Sequence, residues 1–208
     1  MNSEIAIKQL KELKKLISIH SEKPRLAAEG WNEEWKTLIA IMLSAQTRDT
    51  KTIEVSNELF KTYNTPKKLG DASLSAIENK IHSLNYYKTK ARHIKETARI
   101  LSKIKMPETI EELIKLPGVG RKTANVFLVE ARNAAAIGVD THVSRIAMKL
   151  DWTNKKFEEK EGIEKDLEKL FPKRYWNSIN YILVTFGQTY GRSRKQEDEI
   201  FEKIKRLK

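Results

Sequence analysis

Apolar residues recur at three- and four-residue steps along nearly the whole chain. Ile7, Leu10, Leu13 and Ile17 form one such stripe and predict a first amphipathic helix. After a break at "SEKPRLAAEG", the run "NEEWKTLIAIMLSAQ" is more continuously apolar, as expected of a helix at the centre of a core. "DTKTIEVSNELFKTY", "LSAIENKIHSL" and "KTKARHIKETARILSKI" return to the amphipathic pattern, whereas "NTPKKLGDAS" reads as a turn region. Further along, "ETIEELIKL" and "RKTANVFLVEA" are helical on either side of a tight "PGVG", followed by "THVSRIAMKL", "IEKDLEKLF", "YWNSINYILVTFG" and "EDEIFEKIKRL". No window alternates at period two for long enough to make a strand. The expected fold is therefore all-α, with about ten helices and no repeat.

A chain of 208 residues can form one large domain or two small ones, each with a sizeable core. Its formal charge of +12 favours a polyanionic partner, the alternative being a well-solvated basic surface. The absence of cysteine excludes disulfides, thiol nucleophiles and thiolate-held clusters. His20, His82, His93 and His142 are far apart and have no ligand spacing, so no metal site is expected. The N-terminal stretch alternates charge with apolar residues. It reads as neither a secretory signal nor a membrane span, and the expectation is a soluble intracellular protein.

The most informative segment is "LPGVGRKTANV", residues 116 to 126. A helix starting just after Gly120 directs its first-turn amides, with the positive end of its dipole, back into the turn. Gly118 and Gly120 keep side chains off that backbone, so a phosphate fits, and Arg121 and Lys122 add positive charge. An ordinary glycine-rich connector between packed helices is the alternative. Eighteen residues after Lys122, "GVDTHVSR" places Asp140 at a helix entry, where its plain role is an N-cap. A helix from Lys122 to Arg132 carries the chain off by roughly 15 Å. The eight residues back to Asp140 can span about 26 Å, so an amine and a carboxylate could meet beside the hairpin.

At these residues the chain resembles the endonuclease III branch of the helix-hairpin-helix DNA glycosylases. "LPGVGRKTAN" matches that family's hairpin, "VDTH" at 139 to 142 its catalytic aspartate segment, and "MLSAQTRD" at 42 to 49 a segment near its lesion pocket. The resemblance implies two helical domains with a DNA-binding cleft between them. One is a six-helix barrel domain over 27–134 containing the hairpin (about 109–131); the other combines 1–26 with 135–208. It also implies base excision repair of duplex DNA carrying a damaged base or an abasic site, by a monomer located in the cytoplasm at the nucleoid. Lys122 would attack C1′ and form a Schiff base, making the enzyme both glycosylase and AP lyase, and Asp140 would stabilise the cationic sugar. Pro117, Gly118, Val119, Gly120, Arg121 and Thr123 would hold the DNA backbone. Gln46 would fill the gap left by the flipped nucleotide, with Tyr86 as the partner wedge; a polar helix end and a core tyrosine are the plainer readings. Asn85 stands where the family often has glycine. Ser44, Asp49 and His142 fall at lesion-pocket or structural positions.

The chain departs from the family at its end. Most members hold a [4Fe–4S] cluster on four cysteines; here those positions align with Gly191, Asp198, Phe201 and Leu207, none able to bind iron. Ile200, Phe201, Ile204 and Leu207 lie on one face of the last helix, which is expected to replace the cluster by apolar burial, leaving no cofactor. Oxidised pyrimidines such as thymine glycol are the substrates the resemblance implies. Uracil, mismatched thymine or 8-oxoguanine are alternatives on the same fold, and a non-catalytic DNA-binding module is the alternative of another class.

Overall fold

The computed structural model describes residues 2–19, 25–191 and 193–207. His20 and the first four residues of the "SEKPRLAAEG" break lie outside them. The described residues are helical and contain no strand. The chain separates into two compact units, Arg25–Arg132 and Met1–Pro24 with Asn133–Lys208.

The first unit is built around α2 (Glu34–Ser44), which buries eight of its eleven residues and is therefore apolar all round. It packs against α3 (Asp49–Thr62), α6 (Tyr87–Leu101) and α8 (Arg121–Arg132). α6 also receives α4 (Pro66–Asp71) and α5 (Leu74–Ile81), and the short α7 (Ile110–Leu113) leads into α8.

Three boundaries in this unit differ from the sequence reading. The segment read as a turn, "NTPKKLGDAS", contains α4: Thr65 accepts from the amide of Lys68 at 3.2 Å, and Pro66 supplies a preset first-turn φ. Lys95 of α6 closes its other end by donating to the carbonyls of Gly70 and Ala72. Second, α2 stops at Ser44 rather than continuing through Gln46, whose φ of 53° no α-helix admits. Third, of "ETIEELIKL" only four residues are α-helical. A capping box between Thr109 and Glu112 starts this helix, and three-residue hydrogen bonds from Lys115 and Leu116 tighten the chain into the hairpin.

The second unit packs α1 (Ser3–Ser18) and α9 (Thr141–Lys149) on α11 (Trp176–Tyr190), with α10 (Lys160–Leu170) against α9 and a 3-10 turn, Lys173–Tyr175, before α11. α12 (Arg194–Lys205) lies on α1 and α11. Leu10, Leu13, Ile146, Leu183 and Phe186 lie in one continuous apolar core. The buried amide of Gln9 accepts from the indole of Trp152 at 2.6 Å, so that polar group on α1's inner face is satisfied.

α12 corrects one detail of the expected apolar face. Phe201 and Ile204 are buried and Ile200 packs at the edge, but Leu207 lies past the helix end and is 36% exposed. Glu197, one turn before Phe201, takes the remaining inward position and pairs with Arg145 of α9. Lys149–Asp198 at 2.6 Å and Asp151–Lys205 at 3.2 Å add two outer ion pairs.

Candidate functional site

The hairpin is held by residues whose spacing follows from α6. Thr97 donates its hydroxyl to the carbonyl of Pro117 at 2.9 Å, and His93, one turn earlier, lies under Gly118. Gly118 has φ of 77°, and a Cβ there would sit 2.6 Å from the His93 ring, so conformation and packing both demand glycine. Val119 is buried and its amide bonds the carbonyl of Leu116, which closes the turn. Gly120 is different: a Cβ there would meet nothing within 4 Å. Its missing side chain serves no internal contact and leaves the start of α8 open to an approaching group.

The carbonyl of Gly120 accepts from Ala124 at 3.0 Å, so α8 begins here. The amides of Lys122 and Thr123 stand in the first turn, with no carbonyl one turn back in the helix. Arg121, Lys122 and Thr123 are each partly exposed, whereas Ala124 to Leu128 are buried. The amine at 122 is thus carried on a rigid buried helix at the edge of a backbone arrangement suited to phosphate.

Asp140 belongs to the second unit. It is the N-cap of α9, accepting from the amide of Val143 at 2.9 Å through one carboxylate oxygen. His142 follows in the same turn, its Nδ1 3.4 Å from the Arg145 guanidinium, packed so closely on α11 that a Cβ at Gly187 would overlap its ring. Lys160 donates to the buried hydroxyl of Ser144 at 2.8 Å, with its ammonium over the Phe157 ring. Burial holds the Lys160 ammonium below the usual lysine pKa, against the opposing pull of Asp140 and Glu158.

The remaining predicted residues lie in the first unit. Ser44 donates to the carbonyl of Ile41 at 2.8 Å, and Asp49 accepts from the amide of Ala27 at 3.0 Å; both bonds organise the ends of α2 and α3. Gln46 is exposed in the turn between those helices. Tyr86 is 66% exposed at the entry to α6, which removes the reading of it as a core tyrosine. Both residues adopt left-handed φ, 53° and 56°. For side-chain-bearing residues this costs about 1 to 3 kcal/mol each and is retained where the surroundings enforce it.

Lys90 in the first unit and Glu197 in the second are buried charges that sequence reasoning misses. Each left a trace: a charged residue on an apolar stripe, 90 with 94, 98 and 101 on α6, and 197 with 201 and 204 on α12. Lys90 is 7% exposed, donates to Leu43 and Thr47, and has its pKa lowered to about 8 by burial.

The positions that would carry a cluster do not fit one. Phe201 is buried with its ring centroid 5.5 Å from that of Phe186, and Asp198 is ion-paired to Lys149. Among the described residues, no three His, Asp or Glu side chains come together as a metal site. None of the described helices is long and apolar enough to cross a membrane.

Comparisons with known proteins find relatives over most of the chain. Endonuclease III of Thermotoga maritima is 40% identical over 159 residues, covering 75% of this chain and 74% of that protein. Endonuclease III of Bacillus subtilis is 34% identical over 160 residues, covering 74% and 71%. A trapped endonuclease III–DNA covalent intermediate, an estranged-adenine complex, superposes with a TM-score of 0.82 at 31% identity, covering 93% of this chain and 90% of that one. Residues 39–173, which include the hairpin, Lys122 and Asp140, match the model of the HhH-GPD superfamily of base excision DNA repair proteins, and the chain belongs to that family.

Proposed function

We propose that this protein is a DNA glycosylase with AP lyase activity that removes oxidised pyrimidines from duplex DNA. The observation that carries this reading is a lysine, Lys122, partly exposed in the first turn of α8, directly after a hairpin whose Gly120 leaves the backbone open. Names of the endonuclease III relatives, one of them trapped covalently on DNA, support it.

In this reading the hairpin backbone from Pro117 to Gly120, with Arg121 and Thr123, grips the phosphates beside the lesion. Gln46 and Tyr86 enter the duplex where the damaged nucleotide leaves the stack. The Lys122 amine, as its lone pair attacks C1′, expels the base with the glycosidic electron pair. Asp140 stabilises the positive charge that grows on the sugar. Opening of the sugar ring gives the Schiff base between Nζ and C1′. Loss of a C2′ proton then breaks the C3′–O bond, releasing the 3′ strand as its phosphate, and water returns the free lysine. No iron–sulfur cluster takes part, because the side chains at those positions cannot hold one. Ser44, Asp49 and His142 shape the surroundings through the bonds described above.

Borohydride trapping tests the reading. Duplexes bearing thymine glycol should yield a covalent adduct that Lys122→Gln abolishes while DNA binding persists. An adduct undiminished in that variant, or none on any lesion or abasic site, would refute it; the latter favours the non-catalytic binding module. Uracil, mismatched thymine and 8-oxoguanine duplexes in the same panel test the choice of substrate.

A further inference from the structure

Gln46 occupies the third position of a four-residue turn. Ala45 has φ −53° and ψ 118°, Gln46 has φ 53°, and the amide of Thr47 donates to the carbonyl of Ser44 at 3.0 Å. These are the signs of a type II turn, whose third residue is ordinarily glycine because φ is positive there. Tyr86 repeats the pattern at the N-cap of α6, as an exposed, bulky residue in the same left-handed region. Two large side chains thus stand outward on turns where glycine would be relaxed.

A single set of bonds joins these two turns, 40 residues apart in the chain. Asn85 donates its side-chain amide to the carbonyl of Gln46 at 2.6 Å. Lys90 reaches back from α6 to the carbonyl of Leu43 at 2.7 Å and the hydroxyl of Thr47 at 2.9 Å, so both flanks of the Gln46 turn are tied down. Its backbone amide makes the first helical bond of α6, to the carbonyl of Tyr86 at 3.0 Å, so the side chain that holds the Gln46 turn springs from the same helical turn that Tyr86 caps. The Lys90 ammonium is buried among the groups it holds. A buried lysine is retained only when its donors are used.

We propose that Asn85 and Lys90 are positioning residues that lock the Gln46 and Tyr86 turns into one rigid two-pronged element, which enters the duplex without first being ordered. The inference rests on the insertion role given to Gln46 and Tyr86 above. Order installed in the free protein spares the complex the entropy of arranging two separate loops at the moment the base leaves the stack.

The experiment compares two substrates under single-turnover conditions: thymine glycol in a duplex, where a nucleotide must be extruded, and an abasic site in a single strand, where none is. Asn85→Asp keeps shape but places an acceptor against the Gln46 carbonyl. It should slow cleavage of the duplex lesion by about tenfold to a hundredfold while changing single-strand cleavage little. It should also lose the fluorescence rise of 2-aminopurine placed opposite the lesion, and combining it with Gln46→Ala should add little to the effect of Gln46→Ala alone. Lys90→Met should follow the same split; if it does not fold, Asn85→Asp, at an exposed position, carries the test. Equal slowing on both substrates indicates a merely structural role and overturns the proposal, as does no slowing on either. If Gln46→Ala and Tyr86→Ala themselves leave the duplex rate unchanged, the insertion role falls, and the proposal with it. If they slow the duplex reaction but Asn85→Asp and Lys90→Met do not, only the locking falls.

Discussion

Replacing Phe201 by alanine tests whether apolar burial by α12 holds the second unit together. The ring is 2% exposed, lies 5.5 Å from that of Phe186, and shares its core with Ile204, Leu183 and α1. Truncating a buried phenylalanine removes its transfer energy and leaves a cavity, at a cost of about 3 to 5 kcal/mol. With a midpoint shift of about 2 to 4 °C per kcal/mol for a chain of this size, thermal unfolding should begin roughly 6 to 20 °C lower. Leu207→Ala, at an exposed position beyond the helix end, is the control and should stay within about 0.5 kcal/mol of the parent. Circular dichroism melting, with the iron content of each preparation measured alongside, reads both. A Phe201→Ala protein that melts with the parent would show that α12 does not hold this unit together. A parent that gains stability from added iron and sulfide would show that a cluster is used after all.

Two further expectations separate structure from ligand binding and set a pH dependence. Gly118→Ala should lose both stability and DNA affinity, since it places a methyl group against His93 at positive φ, whereas Gly120→Ala should melt like the parent and lose only affinity in a salt-dependent binding assay. Burial, reinforced by the negative charge of Glu29, raises the pKa of Glu130 above its ordinary 4.5. Between 4.5 and the raised value the folded protein binds more protons than the unfolded chain, so stability falls as pH rises through that window. Glu130→Gln should therefore melt higher than the parent at neutral pH, and the gain should vanish once the pH is below 4.5.

Local chemistry accounts for what was legible in the chain itself. The three- and four-residue periodicity specified the all-helical class, because one helix face must be apolar to be buried. "PGVG" specified a turn, and Asp140 ahead of "THVSR" specified an N-cap, because both depend on neighbours only a few residues away. Errors at this level arose where capping overrode periodicity: Thr65 and Pro66 start a helix inside a glycine- and proline-bearing stretch, and the capping box at Thr109 begins one that the hairpin cuts short.

Tertiary structure alone decided the rest. Lys90 reaches a carbonyl 47 residues away and Asn85 one 39 residues away, and Glu197 finds Arg145 from another helix. On a helical wheel, Lys90 and Glu197 are charges on the wrong face. Only packing brings up the donors and acceptors that make burying them tolerable, since hydrogen bonds offset part of the desolvation cost that an unpartnered buried charge bears in full. The left-handed turn at Gln46 follows the same rule: the residue type argues against that backbone, and bonds from Asn85 and Lys90, distant in sequence, hold the turn there.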